Sequence, residues 1–373
     1  FYTPPSGFLA LCSANLPEPT IGANSDTQAD DHFNTVLYTG NGSTQSITGV
    51  GFQPDWLWIK SRSTTDSHGI FDSNRGSTKR LFANANDAES TQSAGVTSFD
   101  SDGFSLGSNL GQNRSSATLV AWNWKANGGT TTTNDASSSG IGTIDSVFQA
   151  NTTAGFSIVT YTGNSTAGAT VRHGLTVAPE MIIVKNRTSA QFWTVYHKDV
   201  GVDRYIELDR DGVSQAQSSY NMFNSTAPTS SVFSLGTLIS TNTSYNYLAY
   251  CFHPVEGYSK FDKYVGSGNV DGPFVFTGFR PRYIMVKVAS DQINASGWQI
   301  YDTARNPNNV IPTYLFANTG DAESDTAAAY INLDIVSNGF KSRAGNTYGV
   351  NQAGTTYIYM AFAEQPFKYA NAR

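Results

Sequence analysis

At 373 residues the chain is two to three times the length of a common domain, which leaves room for two or three cores. Charged side chains make up 14% of it, against about 25% in ordinary domains, while aromatics reach 13%, so Ser, Thr, Asn, Gln and Gly must cover the surface. A net charge of −6 gives no positive field to gather phosphates, which argues against nucleic acid as a partner. With a mean hydropathy of −0.31 and no apolar run near the roughly 20 residues of a spanning helix, no membrane insertion is expected.

In chain order, Phe1-Tyr2-Thr3-Pro4-Pro5 opens the sequence without an initiator Met and reads as a piece of something longer. Residues 1–31, with Pro4, Pro5, Pro17 and Pro19, predict an extended arm or the end of an upstream domain. Three segments then carry the same succession of elements at a period of about 105 residues. The predicted bounds are 32–129, 155–261 and 262–373, with residues 130–154 as a linker. Each segment starts with a strand and a turn: Tyr38-Thr39-Gly40-Asn41-Gly42, Tyr161-Thr162-Gly163-Asn164-Ser165 and Tyr264-Val265-Gly266-Ser267-Gly268.

A proline-led strand ending on lysine follows, from Pro54 to Lys60, Pro179 to Lys185 and Pro281 to Lys287. Next come strands holding Ile70-Phe71-Asp72, Val195-Tyr196-His197 and Ile300-Tyr301-Asp302. The stretch Leu81-Phe82-Ala83-Asn84-Ala85-Asn86-Asp87-Ala88-Glu89-Ser90 returns almost unchanged from Leu315 to Ser324, but the middle segment reads Ile206-Glu207-Leu208-Asp209-Arg210-Asp211-Gly212. Short strands at Phe104, Phe233 and Phe340 precede closing strands that hold Trp122 and Trp124, Tyr250 and Phe252, and Tyr359 and Phe362. Many short strands, frequent turns and hardly any 3.6-residue period predict an all-β chain of three tandem antiparallel β-sandwiches, jelly-roll-like in character. The linker begins with the coil-forming run Gly128-Gly129-Thr130-Thr131-Thr132-Thr133, yet Ile141, Ile144, Val147 and Phe148 imply that part of it packs.

The motifs Tyr-Thr-Gly-Asn-Gly (38–42), Gly-Phe-Gln-Pro-Asp-Trp (51–56), Ala-Trp-Asn-Trp-Lys-Ala-Asn-Gly-Gly (121–129) and Gly-Tyr-Ser-Lys-Phe (257–261), with the ending from Ala363 to Arg373, carry a resemblance. The chain resembles virion fibre proteins of tailed phages that infect marine bacteria, over nearly its whole length. In such proteins a SPRY-type sandwich often precedes a module of this kind, and Tyr2 to Leu11 is similar to the end of that domain and its connecting arm. The resemblance implies a structural or adhesive role in the virion, outside the cell. Contact with other virion proteins and with a host surface glycan is expected, and so is a homotrimer. It implies no cofactor and no catalytic residue. The first functional reading is a receptor-binding tail fibre, and the alternative is a capsid-bound fibre or decoration protein. A polysaccharide-degrading spike ranks third, because the short coils of a β-helix are missing from the pattern.

A glycosidase needs two carboxylates across a cleft. The visible pairs, Asp87 with Glu89 and Asp321 with Glu323, lie in Asn- and Gly-rich turns and predict turn-capping or solvated roles. Asp72 with Arg75, and Asp302 with Arg305, predict local ion pairs in turns, worth about 0 to 1 kcal/mol if exposed. His32, His68, His173, His197 and His253 show no metal-ligand spacing. Cys12 and Cys251 are expected to be separate buried thiols outside any nucleophile motif. Trp56 with Trp58 and Trp122 with Trp124 are expected in the core or between domains. The loop aromatics Tyr220, Tyr245 and Tyr348, set among Ser, Asn and Thr, are the predicted glycan contacts.

Overall fold

The computed structural model describes residues 19–22, 25–217, 221–290, 297–324, 332–345 and 349–364. The chain is all-β, and every paired strand in its sheets is antiparallel to its neighbours. The first segment holds β1 (Phe33–Thr39), β2 (Gln45–Thr48), β3 (Trp56–Ser61), β4 (Gly69–Asp72), β5 (Lys79–Phe82), β6 (Ser90–Thr91), β7 (Val96–Asp100), β8 (Gly103–Leu106) and β9 (Thr118–Trp124). The linker supplies β10 (Thr132–Asn134) and β11 (Ser146–Asn151). The second segment holds β12 (Phe156–Thr162), β13 (Ala169–Arg172), β14 (Met181–Asn186), β15 (Thr194–His197), β16 (Arg204–Glu207), β17 (Gln215–Ala216), β18 (Val232–Leu235) and β19 (Asn246–Phe252). The third holds β20 (Ser259–Val265), β21 (Phe274–Phe276), β22 (Pro281–Val288), β23 (Gln299–Asp302), β24 (Leu315–Phe316), β25 (Leu333–Val336), β26 (Gly339–Ser342) and β27 (Thr356–Ala363).

The large sheets have the orders β1-β9-β3-β4-β5-β6, then β12-β19-β14-β15-β16-β17 with β11 and β10 added beside β12, then β20-β27-β22-β23-β24. The small sheets are β2-β8-β7, β13-β18 and β21-β26-β25. In each segment the closing strand therefore runs between the first strand and the proline-led one. Register places Trp124 opposite Trp56, Phe252 opposite Met181 and Phe362 opposite Tyr283.

Alternation explains why these central strands read as near-continuous apolar runs. On β9, Leu119 and Ala121 face the small sheet, whereas Val120, Trp122 and Trp124 face the other way into a second core. On β19, Tyr247, Ala249 and Cys251 face the small sheet, and Leu248, Tyr250 and Phe252 enter that same second core. Each face of such a strand meets an apolar layer, so no position is left for a polar alternation.

The second core is common to all three segments, and this changes the expectation of tandem, separately packed sandwiches. Trp124, Phe252 and Phe362 converge there, with ring centroids of Trp124 and Phe362 5.6 Å apart and those of Phe252 and Phe362 6.2 Å apart. Trp56 stacks on Trp124 at 4.2 Å and on Tyr250 at 4.4 Å. Phe33 stacks on Phe362 at 5.1 Å. The four tryptophans of the first segment are thus core residues between segments, not a surface platform.

The linker is also more ordered than its composition suggests. Asp55, fully buried, accepts from the amides of Ala126, Gly128 and Gly129 at 2.7 to 2.8 Å and so fixes the start of the Gly-rich run. β11 then turns tightly into β12. Gly155 in that turn has φ +67, and a Cβ there would stand 2.4 Å from the carbonyl oxygen of His253, so only glycine fits. Of the N-terminal arm, Ile21 and Ala29 are buried in the shared core.

Candidate functional site

The acidic turns singled out in the sequence turn out to be the seams of the molecule. Between the first and second segments, Arg75 donates to Asp72 at 2.6 Å and to Glu89 at 3.0 Å. Tyr250 of the second segment donates to the same Asp72 at 2.8 Å, and Arg187 grips Glu89 through two bonds at 2.8 and 3.0 Å. Between the third and first segments the arrangement returns. Arg305 bonds Asp302 and Glu323, Trp122 donates to Asp302 at 3.1 Å, and Arg62 donates to Glu323 at 2.8 Å.

Asp72 with Arg75 and Asp302 with Arg305 are the expected local pairs, and since their side chains are 0% exposed the small worth of an exposed pair does not apply to them. One expectation is corrected. Glu89 and Glu323 are braces between segments rather than solvated turn residues, while Asp87 and Asp321 do stay exposed. Burial pushes the Glu89 carboxyl upward, but Arg187 and Arg75 more than offset this and hold it below the usual range.

The seam between the second and third segments is built from different residues at the corresponding places. His197 stands where Asp72 and Asp302 do, Val200 where Arg75 and Arg305 do, Ser214 where Glu89 and Glu323 do, and Ala289 where Arg187 and Arg62 do. Ser214 donates to the Ala289 carbonyl. Acid and base were lost together, so neither is left as an unpaired buried charge.

Other contacts run around all three seams in one direction. Trp193 donates to the Phe82 carbonyl and Trp298 to the Glu207 carbonyl, both at 2.8 Å. His68, at the matching position, lies by the carbonyls of Phe316 and Thr319. Lys60 donates to Gly320, Lys185 to Asn86 and Lys287 to Arg210, all through backbone oxygens. Burial lowers these ammonium groups to about 8, about 8 and about 7. Second leans on first, third on second and first on third, which is a head-to-tail ring closed within one chain.

At the margin of the first seam, a groove of about 250 Å³ opens beside the linker strands, lined among others by Thr133, Asp145, Thr160, Thr162, Arg187 and Asn246. Asn74 of the first segment donates to two of its lining residues, to the Thr160 hydroxyl and to the Val147 carbonyl. The lining offers hydroxyls, an amide and one charge of each sign, the chemistry that engages a neutral polar ligand. Tyr245, 36% exposed, adjoins Asn246 in the chain and accepts from the Gly163 amide through its carbonyl. Of the predicted glycan contacts, Tyr245 is not a lining residue of this groove, which its chain neighbour Asn246 is, and Tyr220 and Tyr348 lie outside the described residues. Among the described residues no group of His, Cys, Asp and Glu forms a metal cluster. Cys251 is a buried free thiol whose pKa burial pushes well up, and Cys12 lies outside the described residues.

Sequence reasoning missed the seam partners Arg187, Arg62, Tyr250 and Trp122. A signal for the arginines was present: where the middle segment replaces Glu by Ser214, the third replaces Arg by Ala289, a compensated pair visible when the segments are laid together.

These features define an all-β protein of antiparallel sandwiches joined by buried ion pairs around a common aromatic core. More particularly, the chain belongs to the family described as a domain of unknown function, DUF7483, whose model matches residues 28–366. No curated protein and no solved structure matches the chain.

Proposed function

We propose that this chain is a non-enzymatic structural module of a phage virion, a tail fibre that binds a glycan on the host surface. The observation that carries the adhesive part is the open groove, in whose lining the Thr133, Thr160 and Thr162 hydroxyls and the Asn246 amide stand beside the apolar Val147 and Tyr161. Such a lining exchanges bonds with water for bonds with sugar hydroxyls without stripping water from many full charges. The resemblance to phage fibre proteins carries the virion part. A weak sugar site gains about 10²- to 10⁴-fold from repetition on one particle, which is the use of a homotrimer here. The alternative, a capsid-bound fibre, shares the fold and differs in its attachment partner.

Purified chain should bind host cells and compete with phage adsorption. Thr162→Val with Asn246→Ala, both exposed lining residues, should weaken that binding at least tenfold while leaving the unfolding midpoint nearly unchanged. If the parent neither binds cells nor competes, the adhesive reading gives way to the capsid one.

A further inference from the structure

The three segments differ in how their outer edges are finished. In the second, the linker closes both sheets on one side: β11 pairs along β12, and two residues ahead of it Ile144 bridges to Val171 on β13. Thr143 and Ile144 donate to the Thr170 carbonyl, and Arg172 lies over Phe148 and donates to Asn134. In the third segment β20 and β21 take the places of β12 and β13, since Val275 opposes Phe340 as Val171 opposes Phe233. Among the described residues both are edge strands, β20 having only a bridge from Val255 to its first residue.

This open edge carries exposed apolar side chains beside Lys260, Asp262 and Lys263 of β20. Phe274 and Phe276 are 49% and 56% exposed and Val265 is 55% exposed. The matching residues of the first segment are the polar Ser46 and Thr48, and those of the second, Thr170 and Arg172, are half-buried under the linker. Thr277 donates inward to Asn338, so by alternation the amides of Phe274 and Phe276 point to the free edge. Lys260 occupies only the Phe276 carbonyl. Native proteins cover or charge such an edge.

The chain supplies a cover that starts in the right place. Pro19 and Ile21 pack on Gly257, the Ile21 oxygen 3.1 Å and the Pro19 Cβ 3.4 Å from where a side chain on that glycine would begin. Gly257 is two residues before β20. Chain leading into Pro19 from upstream, laid along β20, runs antiparallel to it, which is the relation of β11 to β12. Upstream lies Phe8-Leu9-Ala10-Leu11-Cys12-Ser13-Ala14-Asn15-Leu16, an uncharged stretch bounded by Gly7 and Pro17. It has the length of the seven residues of β20 plus the two that carry the linker from β11 back to Ile144.

We propose that Phe8–Leu16 docks as an added antiparallel strand on β20 and reaches β21, covering Phe274, Phe276 and Val265 and finishing the third segment as the linker finishes the second. The full-length chain tests this. Hydrogen exchange should show the amides of Phe8–Leu16 slowed at least a hundredfold relative to a free peptide. Asp262→Cys, Lys263→Cys and Val265→Cys each place a thiol on β20, and under mild oxidation at least one should form an intramolecular disulfide with Cys12. Leu37→Cys, on the edge of the first segment, should not. Free-peptide exchange of Phe8–Leu16, no bond to any of the three positions, an equal yield with Leu37→Cys, or bonds only between chains would each overturn the proposal.

Discussion

Arg75→Ala isolates what a seam contributes. The Arg75 and Asp72 side chains are 0% exposed, and Arg75 alone bonds both Asp72, at 2.6 Å, and Glu89, at 3.0 Å. Removing it leaves Asp72 buried with only the Tyr250 hydroxyl and the Arg75 amide as donors, and breaking a buried pair in this way costs about 3 to 5 kcal/mol. The same seam can instead be rebuilt with the residues of the second-to-third seam: Asp72→His, Arg75→Val, Glu89→Ser, Arg187→Ala and Tyr250→Met, the last copying Met360. That exchange removes the charges together, and the combined variant should lie within about 2 kcal/mol of the parent. Denaturant unfolding followed by tryptophan fluorescence reads both, since Trp56 is buried in the shared core beside this seam. An Arg75→Ala loss below about 1 kcal/mol, or a combined variant worse than the single one, would refute the view that the pairs neutralise one another in place.

Because the three segments share one core, calorimetry should show a single unfolding transition; three resolved endotherms would contradict the ring. Trp56→Ala should cost about 3 to 5 kcal/mol by opening that core, again read by denaturant unfolding. Burial holds His32 and His173 at about 4, His197 at about 3 and His68 well below its usual value. Their folded pKa values lie under the unfolded value of about 6.5, so the unfolded chain binds more protons and the stability they contribute is present above pH 6.5 and lost as pH falls toward 4 to 3. Each adds about 1.4 kcal/mol per pH unit in that window, so acid titration should give a steep transition, flattened by about a quarter in His173→Gln.

How far the sequence reached depended on whether the information was local. The central strands were legible because Trp56 to Lys60 and Leu119 to Trp124 are long apolar runs with their own turn signals. The closed ring was not, since an alternating strand such as Tyr247 to Phe252 shows that both its faces are apolar but not what the second face meets. Packing of the later linker was legible from Ile144 and Phe148, but the order of its start was not, because Gly128, Gly129 and the threonines have a coil composition. Order there comes from Asp55, more than seventy positions away in the chain, and from pairing with β12. Asp72 and Arg75 were legible as a local pair but not as a buried one, because their spacing shows the bond between them and not the Tyr250 hydroxyl that joins it. The groove beside the linker strands draws Thr133, Thr160, Arg187 and Asn246 from the linker and three strands or strand ends, a set with no common sequence motif.

A head-to-tail interface must either close or propagate. Here it closes after three segments, with Trp193, Trp298 and His68 each turned toward the preceding segment's carbonyls around the ring. Surface that a set of separate chains would place between subunits is already covered inside this one. A trimer of the chain, as proposed for the fibre, must therefore use faces outside the ring. The ring also accounts for the unequal seams. Two of them carry the same Asp-Arg-Glu set facing an arginine, whereas the one between segments joined by the short connection from Pro254 to Tyr258 has His197, Val200, Ser214 and Ala289. A short covalent connection holds those two segments at high effective concentration, so that seam tolerates the loss of its charge pairs with the least consequence for closure.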